Sequence, residues 1–163
     1  MVKRIQPQPG QESVWDYPRP PKLVKTEKRV RVVFNGVTIA DSVNAYRLLE
    51  TSHPPAYYIP PADVQTAHLT ATERRTMCEF KGAAKYWTIT VGERAAQNAA
   101  WSYPQPVATY SAIADYLCFY ASQMDACFVG DEQVQAQAGD FYGGWITSDV
   151  VGPFKGGAGT WGW

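Results

Sequence analysis

Several things are scarce in this chain, and each scarcity excludes something. There are only two histidines and three cysteines, with no Cys-x-x-Cys spacing. A closed zinc site wants four such ligands in paired positions, so a structural metal is not expected. A set from His53, His68 and Cys78 would be the only route to one. Cys78, Cys118 and Cys127 are odd in number and far apart, which argues against a disulfide framework and for a reducing, cytoplasmic setting. The longest apolar run, Tyr116 to Ala121, is far below the ~20 residues that span a bilayer. The first ten residues lack the apolar stretch of a signal peptide. No Asn-x-Ser/Thr acceptor occurs.

Charge excess is also missing. Lys+Arg 15 and Asp+Glu 15 balance, whereas nucleic-acid binders normally carry a basic surplus. Locally the balance breaks. Residues 1–94 hold 14 Lys/Arg against 9 acids, and residues 95–154 hold no Lys or Arg and six acids. The two ends of one domain attracting each other would account for this; so would a head-to-tail contact in a homo-oligomer. The basic stretch Lys22 to Arg31 has no interleaved aromatics and reads as a solvated strand face.

Catalytic signatures are absent as well. There is no Gly-x-x-x-x-Gly-Lys-Ser/Thr, no Gly-x-Ser-x-Gly and no His-Glu-x-x-His. Gly157 to Gly162 fits G-x-G-x-x-G, but no helix follows to face a pyrophosphate.

Turn-formers and flat rings are abundant: 13 Gly, 12 Pro, 6 Trp, 10 Tyr and 6 Phe in 163 residues. Such a composition favours short strands joined by tight turns. The expected fold is mainly β, a compact antiparallel domain with one or two short helices. Residues 1–22 are expected to form an extended arm docked through Trp15 and Tyr17, and residues 23–163 a single β-rich domain. Asn35-Gly36 predicts a hairpin over Arg29 to Ala40, and Gly92-Glu93 a second one between Ala84–Val91 and Arg94–Trp101. Asp41 or Ser42 is expected to cap a helical turn, Ala62 to Ala71 to form a helical turn and loop, and Thr76 to Gly82 a loop. Thr109 to Asp115 is expected to be the clearest helix. Two phrases recur. Trp15-Asp16-Tyr17-Pro18 matches Trp101-Ser102-Tyr103-Pro104, and Phe80-Lys81-Gly82 matches Phe154-Lys155-Gly156. A degenerate duplication and chance both remain open.

The densest polar constellation runs from Cys78 to Trp87. Lys81 near Cys78 would lower the thiol pKa and activate it, or would hold an anionic ligand group. Gly82 would permit close backbone approach. The plain alternative is an inert cysteine beside a surface lysine. Glu50, His53, Tyr57 and Tyr58 form a second cluster, readable as an acid–base pair or as a structural hydrogen-bonded pair. Trp101 and Tyr103 suit either a pocket wall or an ordinary aromatic core.

Glu12 to Pro20 (ESVWDYPRP), Arg29 to Ser42 (RVRVVFNGVTIADS), Leu49 to Pro60 (LETSHPPAYYIP), Cys78 to Trp87 (CEFKGAAKYW), Asn98 to Pro106 (NAAWSYPQP) and Phe141 to Gly156 (FYGGWITSDVVGPFKG) together resemble the bacterial domain of unknown function 427 family, over about residues 12–163. The resemblance implies a β-tent-like or barrel-like fold, akin to zinc-ribbon-like domains and the cereblon ligand-binding domain. Zinc-binding members of that group use two Cys-x-x-Cys knuckles; this chain has neither, so apolar packing must replace the metal. Members of the family are sometimes named nucleotidyltransferases, yet metal-dependent nucleotidyl transfer wants a close carboxylate pair, and no Asp-x-Asp is present. Glu50, Tyr58, Cys78, Lys81, Gly82, Tyr86, Trp101 and Tyr103 fall on the family's recurring positions, which implies a shared pocket. The expectation is a small-molecule-binding domain without a cofactor, with no nucleic-acid or membrane partner. An enzyme using Cys78, Lys81, Glu50 or His53 and a structural or oligomeric scaffold stand as the alternatives.

Overall fold

The computed structural model describes residues 2–139 and 141–163. Its first strands are β1 (Glu12–Ser13), β2 (Lys22–Lys25), β3 (Val30–Phe34), β4 (Val37–Ser42), β5 (Tyr46–Leu49) and β6 (Ala56–Tyr58). Then come β7 (Leu69–Cys78), β8 (Gly82–Val91), β9 (Arg94–Ser102), β10 (Cys118–Phe119) and β11 (Ala126–Val129). The last are β12 (Glu132–Gln133), β13 (Gln135–Ala136), β14 (Trp145–Ile146) and β15 (Val150–Val151). The chain is mainly β, as its composition predicts, and the helical segments among the described residues are all 3-10 turns.

Two four-stranded antiparallel sheets, β10-β9-β8-β7 and β12-β11-β3-β4, carry most of the molecule. A three-stranded sheet, β2-β5-β6, lies beside them. It is tied to the first sheet by reciprocal backbone hydrogen bonds of 2.8 Å between Ile59 and Leu117. Among the described residues no sheet closes into a barrel.

Both foreseen hairpins form. In β3–β4, Val30, Val32 and Phe34 point inward and are buried, while Asn35 (φ 47°) and Gly36 (φ 78°) take the paired positive φ of a type I′ turn. Between β8 and β9, Gly92 takes φ 59°.

The main core gathers Val30, Val32, Phe34, Ile39, Ile89, Phe119 and Trp145 between the two larger sheets. A second, aromatic core lies where β5 and β6 face β8, β9 and β10, and is built of Tyr58, Tyr86, Trp101, Tyr103, Tyr110 and Tyr120. A third cluster holds Val14, Tyr17, Leu49 and Val150. There β1 runs parallel to β15, and Trp15 Nε1 donates to the Pro153 carbonyl at 2.8 Å.

Four local expectations need correction. Thr109 to Asp115 is not an α-helix: Ala108–Ile113 is a 3-10 segment kinked at Tyr110 (φ −110°, ψ 18°) with no side-chain cap. A segment that short cannot propagate an α-helix without capping or an apolar face to hold it. Thr76 to Gly82 is not a loop, because β7 continues through Cys78 and pairs Cys78 with Gly82, leaving Glu79 to Lys81 as the turn. Ser42 caps no helix. It ends β4, and its Oγ accepts from the Asn44 amide at 3.0 Å and donates to Asp63 at 2.6 Å. Ala62 to Ala71 divides into 3-10 turns at Pro61–Asp63 and Thr66–His68 and the start of β7.

The charge asymmetry is met in part within the chain: Lys28 pairs with Asp149 at 3.0 Å, and Arg94 pairs with Asp125.

Candidate functional site

A cavity of about 330 Å³ opens against the aromatic core. That lies at the lower end of the ~300–1,000 Å³ typical of small-molecule sites. Three walls meet there. The end of β5 and the turn after it bring Leu48, Glu50 and His53, and β6 brings Tyr58. The β7–β8 hairpin tip brings Thr76 to Lys81 and Tyr86, and β9 with the residue after it brings Trp101 and Tyr103. The segment between β13 and β14 supplies Gln137, Phe141, Tyr142 and Gly144, and the segment after β15 supplies Lys155.

The structure thus gathers the sequence-selected site residues around one hollow, except Gly82, Tyr57 and His68. Gly82 acts from behind it. It has φ +113°, and a Cβ there would stand 3.4 Å from the Gln105 carbonyl. That would be an ordinary contact, so the positive φ is what calls for glycine; the hairpin tip sits against residues 105–107, where the Val107 amide donates to the Lys81 carbonyl at 2.8 Å. Tyr57, grouped with Tyr58 in the sequence, turns the other way and stacks on Trp145 at 5.2 Å. Alternation along β6 requires this opposition.

Rings line the interior. Trp101 Nε1 donates to Tyr58 Oη at 3.3 Å, leaving the tyrosine's own proton free to donate. Tyr58 meets Trp101 edge-on at 6.4 Å, and Trp101 packs on Tyr120 at 4.7 Å. Burial raises the pKa of both the Tyr58 and Tyr103 hydroxyls, so both stay neutral. Tyr86 Oη is hydrogen-bonded to Thr76 Oγ1 at 3.0 Å.

Lys81 stands out electrostatically. It is 8% exposed and lies over the Tyr103 ring at 5.8 Å, and it has no acidic partner among the described residues. Lys155 approaches from the third wall. Its Nζ donates to the Trp163 carbonyl at 3.2 Å and lies 5.2 Å from the Tyr142 ring centre. The two recurring Phe-Lys-Gly phrases therefore each send a lysine to the same cavity, and the glycine of each takes a strongly positive φ, +113° at Gly82 and +132° at Gly156.

Of the acids, Glu50 lies 3.7 Å from Arg19 and 3.6 Å from His53 Nε2, and Glu79 is exposed on the hairpin turn. Gln137 fixes the state of His53. Its Oε1 accepts from the Gly144 amide at 2.9 Å and its Nε2 donates to the Lys155 carbonyl at 2.7 Å, so the Nε2 contact with His53 Nδ1 at 3.3 Å is a donated one. That puts the imidazole proton on Nε2, facing Glu50. Burial first, then Lys155, Arg19 and Lys81, lowers the His53 pKa to about 3. The Glu50 carboxylate pulls the other way, but desolvation prevails and the ring is neutral near pH 7.

The lone pair of His53 is thus taken up by Gln137 at Nδ1, and the ring is not free as a base. The Cys78 thiol is half-buried in the same wall and has no hydrogen-bond partner among the described residues. Cys118 and Cys127 are buried, and desolvation raises their pKa values. His68 lies away from this site, with Nδ1 3.1 Å from the Thr90 carbonyl. Among the described residues no three His, Cys, Asp or Glu side chains gather as a metal site.

Sequence reasoning missed Gln137, Phe141, Tyr142 and Gly144 as site residues. Phe141, Tyr142 and Gly144 lie in a motif already singled out, and Lys155 in a repeated phrase. Gln137 carries no such signal, since its partners are mostly backbone groups.

No curated protein matches the chain. Residues 22–130 match the model of the family described as Domain of unknown function (DUF427), a stretch that carries Glu50, Tyr58, Lys81 and Trp101 but ends short of Gln137 and Lys155, and the chain belongs to that family.

Proposed function

We propose that this domain binds a small molecule carrying an anionic group, seated in the aromatic cavity with that group at Lys81. One observation carries the reading: Lys81, 8% exposed as a residue and in no ion pair among the described residues, lines the 330 Å³ cavity. A buried charge without a partner is costly, and an incoming anion relieves that cost. The neutral hydroxyls of Tyr58 and Tyr103 add polar points to an aromatic inner wall, the mixture expected of a ligand site.

Thermal-shift and calorimetric titration of the full chain with benzoate and with inorganic phosphate test it. At least one of these anions is expected to raise the Tm. Lys81→Met keeps the chain length and removes the charge, and is expected to weaken that binding at least about ten-fold, since a hydrogen bond to a charged group contributes roughly 1.5–3 kcal/mol. Equal binding by Lys81→Met, or no binding of either anion, overturns the reading.

A second reading, an enzyme with Cys78 as nucleophile, draws support from the thiol's place on the same wall as Lys81. It requires rapid alkylation of Cys78 by iodoacetamide in the folded protein near pH 7. A Cys78 that reacts only on unfolding removes it.

A further inference from the structure

The cavity is graded in polarity from inside to mouth. Its inner rings are closed off: Tyr58 is 1% exposed and Trp101 and Tyr103 are each 5%. Its outer members are apolar yet open to water, with Met77 73%, Phe141 51% and Tyr142 37% exposed. These three are not scattered surface residues, because all line the same hollow. Phe141 and Tyr142 touch edge-on at 5.3 Å, and Tyr142 in turn meets His53 at 4.7 Å. Phe80, partly buried, adds to this side from the hairpin turn. Exposed apolar surface grouped at a cavity mouth marks an unfilled contact. Methionine is the side chain best able to shape itself to an apolar chain. The positive charge lies with Lys81 and Lys155 on opposing walls, while Glu50 is already engaged by Arg19.

We infer that the ligand is an amphipathic carboxylate, its head between Lys81 and Lys155 and its apolar tail leaving across Met77, Phe141 and Tyr142. This rests on the proposed anion site and adds what lies beyond the anion. The head satisfies the uncompensated lysine. The tail covers the ring-and-thioether collar and takes its own methylenes out of water. A free amphiphile is favoured over a lipid surface because the Lys81 charge sits within the enclosure rather than on the collar.

Calorimetric titration of the full chain with acetate, benzoate and octanoate separates the two readings. Octanoate is expected to bind at least ten-fold more tightly than acetate, and Lys81→Met and Lys155→Met are each expected to weaken octanoate at least about five-fold. Met77→Gln with Phe141→Gln, both at exposed positions, is expected to reduce octanoate affinity several-fold and to leave benzoate unchanged. If benzoate binds through Lys81 but octanoate is no tighter than acetate, the anion site stands and the amphipathic assignment fails. If the collar variant binds octanoate as the parent does, the tail path fails. If no carboxylate binds and the chain instead associates with phosphatidylglycerol vesicles, the mouth is a membrane contact and the inference is overturned.

Discussion

At the scale of single residues, Gln137 shows how a neutral side chain can govern a charged site. One amide joins the backbone at Gly144, the backbone at Lys155 and the ring of His53. The imidazole it holds has a consequence for acid stability. The folded pKa of about 3 lies below the unfolded value near 6.5, so between these two the unfolded chain binds the extra proton. Stability is therefore lost as pH falls through that window. The groups facing the ring are Glu50, Lys155, Arg19, Lys81, Gln137 and Tyr142. Asp41, Asp125 and Asp149, whose pKa values are lowered, add losses of the same sign at lower pH. Denaturant unfolding of the parent and of His53→Gln between pH 6.5 and 4.5 is expected to differ in slope. The parent should lose about 2 kcal/mol more over that range, since one proton is worth about 1.4 kcal/mol per pH unit. Parallel profiles would show that His53 can take up its proton without opening the fold. The spacing of Glu50 and His53 was legible in the sequence as a pair. The neutral state of the His53 ring was not, because its orientation depends on an amide 84 residues away.

Among the elements, the third wall depends on two glycines for different clearances. A Cβ on Gly143 would stand 2.5 Å from Trp101 Cη2, and Gly143 also has φ +73°. A Cβ on Gly144 would stand 2.5 Å from the Pro54 carbonyl and 2.7 Å from Gln137 Oε1. Neither neighbour is a loose chain end, so the wall must retreat. Gly143→Ala and Gly144→Ala are each expected to cost about 1–3 kcal/mol in denaturant unfolding and to weaken any carboxylate bound in the cavity. Unchanged stability and binding would mean the wall has slack. Element prediction succeeded where turn chemistry is local, as at Asn35-Gly36. It failed at Thr76 to Cys78, whose strand character comes from pairing with Ala84, Ala83 and Gly82, beyond a register shift between Ala71 and Arg75. The charged run Glu73-Arg74-Arg75 sits in that irregularity and hides the strand from an alternation test. Likewise, the proline and small polar residues near Thr109 looked like a helix start but lack any capping bond.

For the molecule as a whole, a mainly β body was legible because turn signals and ring-rich segments recur throughout the chain. The closing of its ends was only hinted at by Trp15 and Tyr17. Arg47, mostly buried, binds Glu12 and lies 3.4 Å from Tyr17 Oη, linking β5 to the leading segment. Glu12 is partly solvated, which weakens the pair but leaves Arg47 dependent on it. Glu12→Gln is expected to lower the Tm by a few degrees, from a cost of about 1 kcal/mol, and to speed amide exchange at residues 12–17 before the rest of the chain. Uniform exchange would mean the segment does not loosen separately.

The grip of the Val107 amide on the Lys81 carbonyl has a final consequence. The main chain of Lys81 is fixed from behind, and its ammonium lies over the Tyr103 ring within the hollow. Its immobilisation entropy is therefore spent during folding, and an arriving guest meets a rigid receptor whose occupancy requires no ordering of the hairpin tip.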